Sequence, residues 1–166
     1  MLAVMLALIM SPSVVMADEI VSEIIETAPG ISIDTSQYLP KKLPAPAILI
    51  AHGFGGSKES VESDAKFFAS KGFVVMTWSA RGFGESTGQI EMNSIDSEVA
   101  DTRALITHLA KGKNVVLDGE GDPRVGIMGS SYGGANALMT ASQDPRIDAV
   151  ISDISWSDLE QGLFPQ

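Results

Sequence analysis

Residues 125–134, with the sequence VGIMGSSYGG, constrain the fold of this chain more than any other segment. Their apolar run is too short for a helix and stops at Gly129, where a G-x-S-x-G pattern centred on Ser131 begins. This pattern is typical of a nucleophile elbow, a sharp turn from a strand into a helix that exposes a serine. We expect neighbouring backbone to pass close to Gly129 and Gly133, because glycine at both positions leaves room for it.

Short apolar runs alternate with amphipathic segments along the rest of the chain. The runs predict a half-exposed strand over 31–35 and further strands over 47–51, 73–78, 124–128 and 147–154. The amphipathic and small-residue segments predict helices over 57–71, 94–111 and 134–142. Strands that alternate with helices of this length favour a mostly parallel sheet with helices on both faces, which is an α/β fold.

Composition limits the classes of partner and cofactor. The 166 residues carry a formal charge of −10, which argues against nucleic acid and leaves a small molecule or peptide as the expected partner. The chain has no cysteine, so disulfides, cysteine-ligated metals and a cysteine nucleophile are excluded. Lys58 and Thr87 stand where dinucleotide fingerprints need glycine, and the acidic residues 118–122 lack a calcium-loop pattern. We therefore expect no cofactor and no metal, and a solvated loop at 118–122.

The first residues are typical of an export signal. Residues 1–10 are almost wholly apolar, and small residues precede a cleavage point predicted after Ala17. This divides the chain into a signal peptide, 1–17, and a catalytic-domain portion, 18–166, that is secreted or otherwise extracytoplasmic without stable membrane insertion. No lysine or arginine precedes the apolar run, so an uncleaved anchor and a buried amino-terminal segment remain alternatives.

A serine nucleophile needs a base, and the chain offers only His52 and His108. His52 ends a predicted strand and His108 lies within a predicted helix, and we expect both to be structural. In folds with this elbow the catalytic order is serine, acid, histidine, and no histidine follows Ser131. An alternative would use Asp153 as the acid and His52 as the base. Ser130, the neighbouring serine, is expected to face the sheet.

Two backbone N–H groups are candidates for an oxyanion hole. One belongs to Tyr132, directly after the candidate nucleophile, and the other to Phe54, in the glycine-rich turn after His52. The alternative is that both are ordinary turns from a strand into a helix. Two such turns at the ends of neighbouring strands favour the oxyanion hole.

The chain resembles the α/β-hydrolases of the Xaa-Pro dipeptidyl-peptidase and cocaine-esterase type over about residues 31–165. The resemblance rests on residues 52–57 (HGFGGS), 80–88 (ARGFGESTG), 122–134 (DPRVGIMGSSYGG), and 156–159 (WSDL) with 163–165 (LFP). It implies an α/β-hydrolase fold and a serine hydrolase with Ser131 as nucleophile and the Tyr132 N–H in the oxyanion hole. The implied substrates are acyl esters or peptides with proline in second position.

The chain departs from this family in three ways. Members often have a tyrosine where Phe54 stands and an aspartate where Ser79 stands. The family's acid and histidine lie downstream of the region matched here. We therefore expect a carboxyl-terminally truncated hydrolase that is inactive and poorly folded by itself. The alternative is an inert remnant with a binding role or none.

Overall fold

The computed structural model describes residues 19–156 and Glu160. The predicted signal peptide and the 163–165 motif lie outside the described residues. The strands are β1 (Glu19–Ala28), β2 (Ile31–Leu39), β3 (Ala47–Ala51), β4 (Val74–Trp78), β5 (Leu117–Gly119), β6 (Asp122–Pro123), β7 (Val125–Ser130) and β8 (Ile147–Asp153). The helices are α1 (Glu62–Ser70), α2 (Glu98–Lys111) and α3 (Tyr132–Gln143).

Six of the strands form one sheet in the order β1-β2-β4-β3-β7-β8. β4, β3, β7 and β8 run parallel, which confirms the predicted mostly parallel sheet with crossover helices. β2 is antiparallel to both β1 and β4. β1 was not predicted as a strand because its apolar residues do not alternate; as an edge strand it buries little of its length.

Alternate residues of the central strands enter two separate cores. On β3, Ala47, Leu49 and Ala51 pack in the core that includes α2 and α3 residues, whereas Ile50 packs in the core that includes α1 residues. This is the period of two that a pleated strand imposes. The helices therefore cover both faces of the sheet, as predicted.

Two predicted helices begin later than expected. The predicted helix over 57–71 starts with a 3-10 turn, Lys58–Val61, before α1. The helix predicted from residue 94 begins at Glu98, because the Glu98 carboxylate accepts a hydrogen bond from Ser94 N–H at 3.1 Å and holds the preceding residues in a loop.

The predicted loop 118–122 is instead a short hairpin of β5 and β6, closed by an ion pair between Arg124 and Asp118. No helix of the described residues has the length and apolar character needed to cross a bilayer.

The described residues leave an apolar groove beside one edge of the sheet. It has a volume of about 380 Å³ and lies between the α1 side chain Phe68 and the strands β3, β7 and β8. On β8, Val150 and Ile151 are exposed, at 36% and 58% of their accessible area. β8 pairs with β7 on one side and has no described strand on the other.

Candidate active site

The backbone of Ser131 makes the predicted turn from strand to helix. It connects β7 to α3 with φ 56° and ψ −119°. A residue other than glycine in such a conformation costs about 1–3 kcal/mol and persists only where its surroundings enforce it. The turn therefore marks a position that the rest of the fold holds under strain.

The two glycines of the motif stand where other backbone passes, as predicted. A Cβ atom on Gly133 would lie 2.7 Å from the carbonyl oxygen of His52. One on Gly129 would overlap the Gly133 backbone and lie 3.0 Å from Ala51 O. Because these neighbours are backbone atoms, they cannot rotate away, and only glycine fits both positions.

Asp153, at the end of β8, contacts both serines of the motif. Its carbonyl oxygen accepts the Ser131 N–H at 2.9 Å. Its carboxylate lies 3.4 Å from Ser130 Oγ. The Ser130 side chain therefore reaches across to the neighbouring strand end and is partly exposed, so the expectation that it faces the sheet is wrong.

His52 is a buried structural residue, as expected from the sequence. The Ala80 N–H donates to its Nε2 at 3.0 Å, so the proton is on Nδ1, which lies 2.7 Å from Gly53 O. Burial lowers the pKa of His52 and favours this neutral form. With both ring nitrogens engaged, His52 cannot accept a proton from Ser131. The alternative that pairs His52 with Asp153 is therefore wrong.

His108 is also unsuited to act on Ser131. Its Nε2 lies 3.2 Å from a carboxylate oxygen of Glu23, which belongs to β1 at the opposite edge of the sheet from β8. Within the described residues, no histidine is therefore placed to act as the base of Ser131.

The turn after β3 adjoins the Ser131 turn through aromatic side chains. The Phe54 ring is 60% exposed, and its centroid lies 5.3 Å from that of Phe83 and 5.8 Å from that of Tyr132. Within this turn the hydrogen bond runs from Gly56 N–H to Gly53 O, so it does not use the Phe54 N–H. The Tyr132 N–H belongs to the first turn of α3, where amides have no intrahelical acceptor. The two candidate oxyanion donors therefore come from adjoining turns at one end of the sheet.

The loop after β4 is held by a buried ion pair. Arg81 donates from Nε to Asp101 Oδ2 at 2.6 Å and from Nη2 to Asp101 Oδ1 at 2.8 Å. Ser79, which stands where relatives often have aspartate, instead accepts the Lys58 N–H at 3.2 Å and lies beneath Gly84. The departure at Ser79 therefore does not leave Arg81 unpaired.

Two buried polar residues near the elbow were not identified from the sequence. Asn93 donates from Nδ2 to Tyr132 O at 2.9 Å, and Glu98 lies 3.3 Å from the Tyr132 hydroxyl. Glu98 lies within the helix predicted over 94–111 and Asn93 directly precedes it, and nothing in the residue pattern of either indicates a contact with residue 132. Across residues 19–156, no cluster of three or more histidine, aspartate or glutamate side chains is arranged to hold a metal ion.

The sequence profile of the X-Pro dipeptidyl-peptidase (S15) family matches residues 29–166. The chain belongs to this family. This chain is 34% identical over 131 residues to the quorum-quenching protein AidA of Acinetobacter baumannii (strain MDR-ZJ06). That alignment covers 76% of this chain and 41% of AidA.

Solved structures share the fold of this S15 chain. Hypothetical protein PA2218 from Pseudomonas aeruginosa matches with a TM-score of 0.75 and 26% identity over 96% of this chain and 51% of that chain. The Pyrococcus furiosus esterase Pf2001 matches with a TM-score of 0.74 over 86% of this chain and 54% of that chain, and at 19% identity it shows the fold alone. The fold is that of the α/β-hydrolases, as predicted. The chain spans about half the length of these two solved structures.

Proposed function

We propose that this chain is the nucleophile-bearing portion of a serine acyl hydrolase, with Ser131 as the nucleophile. The observation that carries the proposal is the backbone of Ser131, which takes φ 56° between a parallel strand and a helix. A strained residue held by the surrounding fold is characteristic of functional sites. Membership of the S15 family supports Xaa-Pro peptides as substrates, and the resemblance to cocaine-esterase-type hydrolases supports acyl esters.

The Tyr132 and Phe54 N–H groups are proposed to stabilise the negative oxygen that forms when Ser131 attacks an acyl carbon. The Tyr132 N–H is at the amino end of α3, where the helix dipole favours negative charge. The Phe54 N–H is in the turn after β3. Gly53 in the same turn lies close to the elbow, because a Cβ atom at Gly53 would be 3.9 Å from Ser130 O. Donors fixed before the reaction need no reorganisation as charge develops, and one such donor contributes about 10²–10³ in rate.

The general base is proposed to come from a further part of a longer protein. Both described histidines are engaged elsewhere, His52 by Ala80 and Gly53, and His108 by Glu23. Since the matched region covers only 41% of AidA and 51% of PA2218, both have room for an acid and a histidine outside it. By itself the chain is proposed to be inactive.

A fluorophosphonate probe tests the nucleophile, because it reacts with an activated serine at the site. In the full-length gene product, peptide mapping should find the label on Ser131, and S131A should abolish it. S130A is the matched control and should retain labelling, because Ser130 is the neighbouring serine and its hydroxyl faces Asp153. Labelling that survives S131A would refute the assignment.

Hydrolysis assays then separate the two substrate classes. The full-length protein is given an activated acetate ester and, separately, an Xaa-Pro anilide, and turnover of each is compared with that of S131A. Turnover that depends on Ser131 supports the hydrolase and identifies its class. A full-length protein that folds but neither labels nor turns over would favour the inert remnant.

A further inference from the structure

Tyr132 is held at both of its polar ends, by Asn93 from the loop before α2 and by Glu98 at the start of α2. Its carbonyl oxygen accepts a hydrogen bond from Asn93 Nδ2 at 2.9 Å, and its hydroxyl lies 3.3 Å from Glu98 Oε1. Burial and the nearby Glu98 charge raise the pKa of the Tyr132 phenol, so it stays protonated and donates to that carboxylate. Tyr132 itself is 1% exposed. A residue fixed at its carbonyl and at the tip of its ring has little freedom to rotate.

The direction of the hydrogen bonds behind this contact follows from the Tyr132 carbonyl, which can only accept. Asn93 must therefore present its NH₂ group to residue 132, and its Oδ1 accepts from Asn136 Nδ2 at 3.0 Å. The Asn136 Oδ1 in turn lies 3.0 Å from the Thr102 hydroxyl. All these side chains are buried, so each bond also satisfies a group that has no access to water.

The loop that carries Asn93 is itself held in a strained form by Glu98. Met92 and Asn93 have φ 55° and 66°, a region that residues other than glycine enter at a cost. The Glu98 carboxylate accepts the N–H of Glu91 at 2.6 Å and of Ser94 at 3.1 Å, on either side of this pair. The same carboxylate thus accepts hydrogen bonds from the loop backbone and from the Tyr132 hydroxyl.

We propose that Asn93 and Glu98 are positioning residues that hold Tyr132 so that its backbone N–H keeps a fixed direction at the candidate oxyanion hole. The inference rests on the proposed function, because it concerns the same N–H group. Neither residue touches substrate in this scheme, and both act through Tyr132. Misplacement by about 1 Å can cost a reaction about 10²-fold, so a small rotation of the elbow would be measurable.

The first test compares two substitutions at adjacent left-handed positions in the full-length gene product. N93G and M92G both place glycine where glycine is unstrained, but only N93G removes the contact with Tyr132. N93G should lower the maximal rate of Ser131 labelling by a fluorophosphonate by about tenfold or more, with the half-saturating probe concentration unchanged. M92G should label at the wild-type rate. The melting temperature of each variant is measured alongside to separate labelling from unfolding.

A second variant keeps the test decisive if N93G does not fold. Y132F removes only the hydroxyl that donates a hydrogen bond to Glu98, and the Glu98 carboxylate still accepts two backbone N–H groups. It should fold and label about three- to tenfold more slowly. Folded N93G and Y132F that both label at the wild-type rate would overturn the positioning role; if N93G is unfolded, Y132F alone decides. Wild-type protein that is not labelled at Ser131 would instead refute the proposed function.

Discussion

Gly133 illustrates how the absence of one side chain allows the Ser131 turn to form. The position that a Cβ atom would occupy is filled by the carbonyl groups at the end of β3, including His52 O at 2.7 Å. Any side chain there must push α3 away from the sheet, because backbone atoms cannot change rotamer. The two glycines of the motif are thus required by contact between β3 and the elbow.

G133A should destabilise the protein by about 1–3 kcal/mol, because the added methyl group forces the backbone of α3 or β3 to move and overpacking of this kind has that energetic cost. G126A is a matched control on β7, since a Cβ atom there would lie no closer than 3.4 Å to Ala149 O. Urea unfolding of both variants gives the free energies of unfolding. Equal losses for the two glycines would contradict the contact argument.

His52 should make the stability of the protein depend on pH. Its pKa is lowered in the folded state by burial, so below the usual value of 6.5 the unfolded state binds more protons. The free energy of unfolding should therefore fall as pH is lowered from about 7 to about 5, and level off above the unfolded pKa. H52Q should flatten this slope, whatever its own stability, because glutamine does not titrate. A slope unchanged in H52Q would assign the dependence to other groups.

The glycine requirement was predictable from sequence, whereas the contacts of Asn93 were not. A G-x-S-x-G pattern after an apolar run has a known backbone geometry, and that geometry implies close approach. Asn93 meets Tyr132 only because residues 91–97 fold back as a loop, and the spacing along the chain contains no trace of that contact.

The loop between β4 and α2 is fixed to the body of the fold by the Arg81–Asp101 pair. The two side chains are 9% and 3% exposed, and Thr27 on β1 also donates to Asp101 at 2.5 Å. One carboxylate on α2 therefore joins the loop after β4 to the hairpin at the edge of the sheet. We expect these contacts to restrict the motion of this glycine-rich segment.

R81M should lower the free energy of unfolding by about 3–5 kcal/mol, because it leaves the Asp101 charge buried without its partner. The double variant R81M/D101L should recover most of this loss, since it removes both charges together. K66M, which breaks the partly exposed Lys66–Glu62 pair on α1, is the control and should change stability by less than about 1 kcal/mol. A double variant as unstable as R81M would show that the charge imbalance is not the cause.

Element types were predictable to a large extent, and their boundaries and pairing less so. Strands at β2, β3, β4, β7 and β8 and all three helices were predicted, because apolar runs, alternation and helical periodicity are local signals. The prediction that the strand over 31–35 is half exposed was wrong, because Asp34 is buried along with its apolar neighbours. The antiparallel start of the sheet was not predicted, since β1 is half of a hairpin whose exposed face hides the strand period. The late start of α2 depends on the Glu98 side chain, which competes with the first helical turn.

One edge of the molecule presents apolar strand surface to water. β8 has an open side in the described residues, and the groove beside it is lined by apolar side chains of β3, β7 and β8. Unpaired N–H and C=O groups along a flat apolar edge favour pairing with other chains. The expectation that this chain by itself is poorly folded remains a prediction. We expect its observable sign to be association of the chain in solution.

Residues 18–166 should associate in solution through this edge, and I151K should reduce the association. Ile151 is 58% exposed and lines the groove, so a lysine there adds charge without burying it. L117K, at an exposed position on the β5–β6 hairpin, is the control and should leave association unchanged. Sedimentation at several concentrations measures the effect. A wild-type chain that stays monomeric and melts cooperatively would refute this prediction.

The place of β7 in the sheet bears on the order in which the chain acquires its structure during folding. β1 and β2 are joined by a tight turn, so they can pair as soon as both have been synthesised. β7 pairs instead with β3, from which it is separated by two complete crossovers. Closing so long a loop lowers the chain entropy before the contacts between the two strands can compensate for that cost. We therefore expect Ser131 to adopt its left-handed conformation late, when β3 and β8 are already in place to hold it.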